Sequence, residues 1–93
     1  MIRSFADKES ERIWEGLRSR RLPPDIQDVA LRKLQLLAAA NDVTDLRVPP
    51  GNSLEALKKD RKGQWSIRIN AKWRICFKWR DGHAENVEIC DYH

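Results

Sequence analysis

The sequence ends in Asp91-Tyr92-His93 and carries Glu55 three residues before Lys58. Cutting an RNA strand requires that a 2′-hydroxyl lose its proton, that added charge on phosphorus be stabilised, and that the leaving 5′-oxygen gain a proton. His93, Tyr92 and Asp91 are acid–base groups, and histidine is the side chain best suited to moving protons near neutral pH. Arg74 and Lys58 offer charge stabilisation. This chemistry calls for no metal and no other cofactor. Taken alone, three residues at a chain end are tail decoration, and Glu55, just after Pro49-Pro50-Gly51-Asn52, is a surface carboxylate. His83, the other histidine, falls in a tight turn and reads as a turn or surface residue.

Charge singles out the same region. From Lys58 to Arg80 stand nine bases against one acid, Asp60, a local +8 in a chain whose net charge is +4. Lys59, Arg61, Lys62, Arg68 and Lys78 are therefore candidate RNA contacts. Trp65, Trp73, Phe77 and Trp79 interleave with these bases as stacking aromatics would, although core packing is the better reading for all four. The competing explanation of the charge is a solvated strand surface.

The elements that must position these groups fall into two halves. Ile2 to Phe5 is a short strand candidate. Asp7 caps a helix reaching about Leu17, with Glu9 and Glu11 in its first turn and an apolar stripe of Ile13, Trp14 and Leu17. Arg18, Arg20 and Arg21 then suit its C-terminal end. A second helix starts at Pro23-Pro24 and runs to about Ala40, with Ile26, Val29, Ala30, Leu34 and Leu37 at helical spacing. Residues 43–47 add one further turn, and the Pro49–Asn52 loop closes the helical half. Beyond it, three segments alternate with period two: Trp65-Ile67-Ile69, Trp73-Ile75-Phe77-Trp79 and Val87-Ile89. The fold class is α+β, in one compact domain spanning residues 1–93.

Register follows from this alternation, since a one-residue slip exposes every core side chain. It pairs Trp65 with Phe77, Ile67 with Ile75 and Ile69 with Trp73. Asp81-Gly82 suggests a two-residue turn, but that turn sets Phe77 against Asn86 and Ile75 against Glu88. A three-residue loop, Asp81-Gly82-His83, sets Phe77 against Val87 and Ile75 against Ile89, and is preferred. Arg68 then lies opposite Arg74, with Lys78, Glu88 and Cys90 on the same face and Tyr92 beside Arg74. Two apposed guanidiniums near a phenol resemble a phosphate-binding floor; the alternative is a hydrated sheet surface. Cys76 faces Glu88, which leaves Cys90 a diagonal neighbour. A bridge would need backbone adjustment, so two free thiols are expected.

With 41% hydrophobic and 34% charged residues the composition is globular, neither disordered nor fibrous. No apolar run approaches membrane-span length, and the first residues lack the apolar stretch of a signal peptide. Two cysteines without CxxC spacing and two histidines make neither a disulfide framework nor a zinc site. A reducing cytoplasm is the expected compartment.

Residues 63–77, GQWSIRINAKWRICF, resemble the HigB branch of the RelE-like toxins of type II toxin–antitoxin systems. So do Leu57-Lys58-Lys59-Asp60-Arg61, the final Asp91-Tyr92-His93 and the opening Met1-Ile2-Arg3-Ser4-Phe5, so that the resemblance spans essentially the whole chain. It implies two N-terminal helices packed on a small antiparallel sheet. It implies a metal-independent, ribosome-dependent endonuclease that cuts mRNA codons in the 30S A site by 2′-hydroxyl attack, arresting translation and growth. It also implies a HigA-like helix-turn-helix antitoxin, and operator DNA reached only through the complex of the two. By position, Lys58, Arg74, Asp91, Tyr92 and His93 match the family's active-site pattern. Some members carry His where this chain has Glu55. Either Glu55 takes over part of the acid–base work, or that step falls to His93 and Asp91. Cations nearby would hold Glu55 ionised, which suits a base. Glu55 is thus assigned as auxiliary base or orienting group, His93 as acid and Tyr92 as the group that positions RNA. Two rival readings are a module that occupies RNA or the ribosome without cutting, and a protein acting mainly as antitoxin partner in operon autoregulation.

Overall fold

The computed structural model describes residues 1–91 of the chain. Helix α1 is Lys8–Trp14. Asp7 Oδ1 accepts the Ser10 N–H at 2.7 Å, the cap expected from sequence. The helix stops a turn early because Gly16, at φ +81°, takes the left-handed position that ends helices. The Leu17 N–H then reaches Arg12 O at 2.9 Å and the Gly16 N–H reaches Ile13 O at 3.0 Å. This turn carries Leu17 off the helical stripe. Of the three expected stripe residues only Ile13 is buried, while Trp14 and Leu17 are 36% and 48% exposed. Arg18, Arg20 and Arg21 consequently lie beyond α1, and the base in its last turn is Arg12.

Helix α2, Pro24–Ala39, begins with proline in its first turn and buries Ile26, Ala30, Leu34 and Leu37. Buried Gln27 ties the preceding loop to it. Its Nε2 donates to Ser19 O and Leu22 O, both at 2.9 Å, and its Oε1 accepts the Ser19 N–H. Two 3₁₀ turns follow, Val43–Arg47 and Pro50–Asn52. The first is capped reciprocally by Asp42 and Asp45. The second delivers Asn52 into the interior, where it is fully buried. Asn52 Nδ2 donates to Leu46 O at 3.1 Å and Val48 O at 3.4 Å, and its Oδ1 accepts from Lys33 Nζ on α2. Burial, and then Arg32, push the Lys33 amine below the ordinary lysine value.

The sheet is antiparallel in chain order: β1 (Glu55–Ala56), β2 (Gln64–Arg68), β3 (Trp73–Arg80) and β4 (His83–Asp91). Trp65 pairs with Phe77, Ile67 with Ile75, Arg68 with Arg74 and Ile75 with Ile89, as alternation requires. The β3–β4 turn differs from the expected three-residue loop. Arg80 pairs with His83, so Asp81-Gly82 is a two-residue turn, with both residues at positive φ as a type I′ turn demands. The register is restored by a bulge between Cys76 and Lys78, where β4 inserts one extra residue. Asn86, at φ +51°, lies in this bulge, and its N–H is held by Ser4 Oγ at 2.9 Å.

Residues 2–5 run along β4 as two isolated parallel bridges, Ile2 with Ala84 and Phe5 with Val87, rather than as a continuous strand. Ser10 Oγ on α1 accepts the Ile89 N–H at 2.9 Å. Together they cover an edge that would otherwise present unpaired backbone. One sheet face packs Ile67, Ile75, Phe77, Val87 and Ile89 against both helices, with Trp65, Trp73 and Trp79 at its margin. The four aromatics are core, not a stacking platform.

Asn52 joins α2 to the segment that precedes β1, so Asn52→Ala should leave two carbonyls and a lysine poorly satisfied. We expect a loss of about 2–3 kcal/mol in urea unfolding, the scale of a buried polar group stripped of partners.

Candidate functional site

Alternation sends the even-numbered side chains of β3 to the face away from the helices. Two rows cross the sheet there. Glu55, Ser66, Cys76 and Glu88 form one, and Arg68, Arg74 and Cys90 the next. This face is not simply hydrated. Ser66 and Cys76 are fully buried, and Leu57, directly after β1, folds onto Cys76 and Cys90 as a small second core. Burying one leucine contributes about 1.5–3 kcal/mol, enough to anchor the β1–β2 connection over the face.

That connection carries the basic run. The Leu57 N–H bonds Gln64 O at 2.8 Å, and a 3₁₀ turn occupies Lys59–Arg61. Lys59 enters the turn at φ +55°. The turn points Lys58, Lys59 and Lys62 to solvent and sends Arg61 back inward. Arg61 Nη1 reaches Glu88 Oε1 at 3.0 Å and Gln64 Oε1 at 3.2 Å. The bond it donates to Glu88 raises the guanidinium's already high pKa.

Arg74 is half-buried and held on two sides. Its Nε donates to Ser66 Oγ at 2.8 Å and its Nη2 to Ser53 O at 2.6 Å. Arg68 and Arg74 oppose each other along the backbone, but Arg74 reaches across β2 to the left-handed residue Ser53 instead of standing over the sheet with Arg68. Glu55, Ala56, Lys58 and Lys59 line an open pocket of about 370 Å³. Glu55 is the cross-strand partner of Ser66, whose buried hydroxyl accepts from Arg74, so Glu55 and Arg74 flank Ser66 on one face of the sheet. Arg68 and Lys78 are exposed on the same face.

Asp91 is placed differently. It pairs with Trp73, and alternation turns it to the face opposite Arg74, where its carboxylate meets Lys72 Nζ at 3.5 Å. Tyr92 and His93 lie outside the described residues. His83 pairs with Arg80 at the far end of β3–β4 from Arg74. Sequence reasoning missed Ser66, Glu88 and the Ser53 carbonyl as supports. Ser66 was signalled by its shared face with Arg74, whereas no local pattern marks a carbonyl. Among the described residues no three His, Cys, Asp or Glu side chains gather to hold a metal ion. No helix there is long and apolar enough to cross a membrane.

Residues 3–93 match the family model of the RelE-like toxin of type II toxin–antitoxin system HigB. The chain belongs to this family. It is 44% identical over 90 residues to Toxin HigB-1 of Vibrio cholerae, covering 96% of this chain and 95% of that one. It is 33% identical over 93 residues, all of both chains, to Endoribonuclease HigB of Proteus vulgaris. The YoeB–YefM complex from Staphylococcus aureus includes a chain of the same fold, with a TM-score of 0.63 at 16% identity, covering 100% of this chain and 98% of that one. The two-helix, four-stranded architecture of this HigB-like chain is therefore the RelE-like fold expected from its sequence.

Because Arg74 is bonded into the face, Arg74→Ala should cost about 1–2 kcal/mol in urea unfolding. Exposed Arg68→Ala should stay within about 0.5 kcal/mol. Relief of like-charge repulsion alone would make both variants more stable.

Proposed function

We propose that this HigB-like toxin is a ribosome-dependent endoribonuclease, cutting mRNA in the A site without a metal. The observation that carries the reading is a shared face: Glu55, Lys58 and Lys59 line an open pocket, and buried Ser66, the cross-strand partner of Glu55, orients Arg74. The family match and the Proteus relative's name support strand cleavage as its chemistry.

In this reading Arg74 and Lys58 stabilise the charge that builds on phosphorus. Arg74 is set in place beforehand by Ser66 and Ser53, so little reorganisation is needed at the reaction. Glu55, beside Lys58 and Lys59 at the pocket, takes or orients the 2′-hydroxyl proton. His93 is the acid for the leaving oxygen and Tyr92 positions the RNA; Asp91, which meets Lys72 on the other face, is given no step. Lys59, Lys62, Arg68 and Lys78 contact phosphates and give salt-dependent binding. Arg61, engaged with Glu88, serves the loop's position more than the RNA. The partner is an antitoxin, a reading supported by the YoeB–YefM assembly of the structural neighbour, and the family resemblance makes it one of the HigA-like helix-turn-helix type. Operator DNA is reached through that complex. The chain works as one domain, in the cytoplasm.

The test is induction of the chain with mapping of new mRNA 5′ ends. Ends should fall within translated codons, disappear when translation is blocked upstream, and disappear when the antitoxin is co-expressed. Growth arrest without new ends would favour a non-cleaving binder instead. In single turnover on programmed ribosomes, Arg74→Ala should slow cleavage about 10²–10³-fold. Loss of His93, or Glu55→Gln, should slow it about 10²–10⁴-fold where that group carries the proton. Parent rates without His93 would move the acid's role elsewhere.

A further inference from the structure

Cys76 and Cys90 play no part in the chemistry above, yet they occupy the centre of the face that carries it. Cys90 is the cross-strand partner of Arg74, and Cys76 is the partner of Ser66, which holds Arg74 Nε. Flat register makes the two cysteines diagonal neighbours, beyond easy bonding reach. The strands are not flat. Twist shortens one diagonal of each cross-strand square, and the bulge immediately after Cys76 increases that twist. The Sγ atoms stand 2.8 Å apart, both thiols free. That is only about 0.8 Å more than a sulfur–sulfur bond.

We propose that Cys76 and Cys90 are an oxidative modification site, a dithiol that a peroxide closes reversibly to an intramolecular disulfide, displacing Arg74. The effect on Arg74 rests on the function proposed above; the modification itself does not. Cys76 is the attacking sulfur. The hydrogen bond from Cys90 lowers its pKa, aided by Arg61 and Arg74 and opposed by burial and Glu88. The same bond, together with burial, pushes Cys90 up. The Cys76 thiolate attacks one peroxide oxygen, and the O–O bond breaks to give a sulfenic acid and hydroxide. Hydroxide removes the Cys90 proton as water. The Cys90 sulfur then attacks the sulfenic sulfur, and the S–O bond breaks to release a second hydroxide, which takes up the proton Cys76 had lost. Two thiols give up two electrons and two protons, and the peroxide becomes two waters. Access is gated by Leu57 and by the Arg61–Glu88 pair, whose side chains are 35% and 32% exposed.

Closing the bond draws Cys90 towards Cys76 and away from its square pairing with Arg74. The shift of about 0.8 Å falls on the strand partners of Ser66 and Arg74 and, on this proposal, loosens the Ser66 contact that sets the guanidinium. The test treats the reduced full-length chain with hydrogen peroxide, then blocks remaining thiols. Intact mass should show loss of two hydrogens, and digestion should yield the peptide of Cys76 linked to that of Cys90. Cleavage on programmed ribosomes should fall about 100-fold, as for a displaced charge-stabilising group, and return with dithiothreitol. Cys90→Val and Cys90→Ser should each keep their activity in peroxide. Overoxidation of a single cysteine, links only between chains, or no reaction would overturn the site. A disulfide that leaves cleavage unchanged would overturn the coupling to Arg74. A reduced chain that cuts nothing would instead refute the proposed function, while the mass measurement still decides the site.

Discussion

Strand β3 is paired on both edges and buried on both faces at its centre, Ile75 to Phe77, and every other element takes its place from that strand's alternation. Its odd residues, Trp73, Ile75, Phe77 and Trp79, meet the core beneath the helices; of its even residues, Cys76 meets Leu57 of the β1–β2 connection and Arg74 meets Ser53 just before β1. A strand in this position tolerates no slip, because a shift of one residue would bury Arg74 and Lys78 among the core leucines. The apolar side demands two helices above it. The mixed side demands something apolar on the cysteines and polar partners for the arginines, and the segment from Ser53 to Gln64 supplies both.

Much of this was legible. The paired register of β2, β3 and the outer half of β4 follows from hydrophobic alternation alone, because each core pair has a partner of matching character. α2 follows from Ile26, Ala30, Leu34 and Leu37. The β3–β4 turn was misjudged because local turn chemistry and core register conflicted. Asp81-Gly82 favours two residues, while Ile75 and Ile89 require one more. The chain satisfies both with a bulge at Asn86, held by Ser4 at the opposite end of the sequence. Such a contact leaves no trace in either local pattern. α1 was overextended for a simpler reason: Gly16 stops the helix before Leu17 completes the stripe.

The site divides along the same line. Glu55, Lys58 and Arg74 could be named from residue type and family resemblance, and the fold brings them onto one surface. Asp91 belongs to the same sequence cluster as Tyr92 and His93, but strand parity sets it against Lys72 on the other face. The partial burial of the basic face was not legible. Leu57 is a single apolar residue beside a run of bases, and such runs ordinarily read as solvated. What makes it a lid is its reach to Cys76 and Cys90, two and three strands away in the sheet.

The arginines on this face show how one charge type serves two ends. Arg61 is bonded to a carboxylate, and at about one-third exposure that pair adds little stability. Its value is geometric, since it fixes the turn that presents Lys58 and Lys59. The bonds from Arg74 to Ser66 and Ser53 go to neutral oxygens. They fix the guanidinium's plane, and a planar fork is the geometry that suits a phosphate. Lysine at this position could keep the charge but not both bonds at once with the same orientation, because an ammonium lacks the planar fork. Arg61 thus meets an acid and holds a loop, whereas a hydroxyl and a carbonyl orient Arg74.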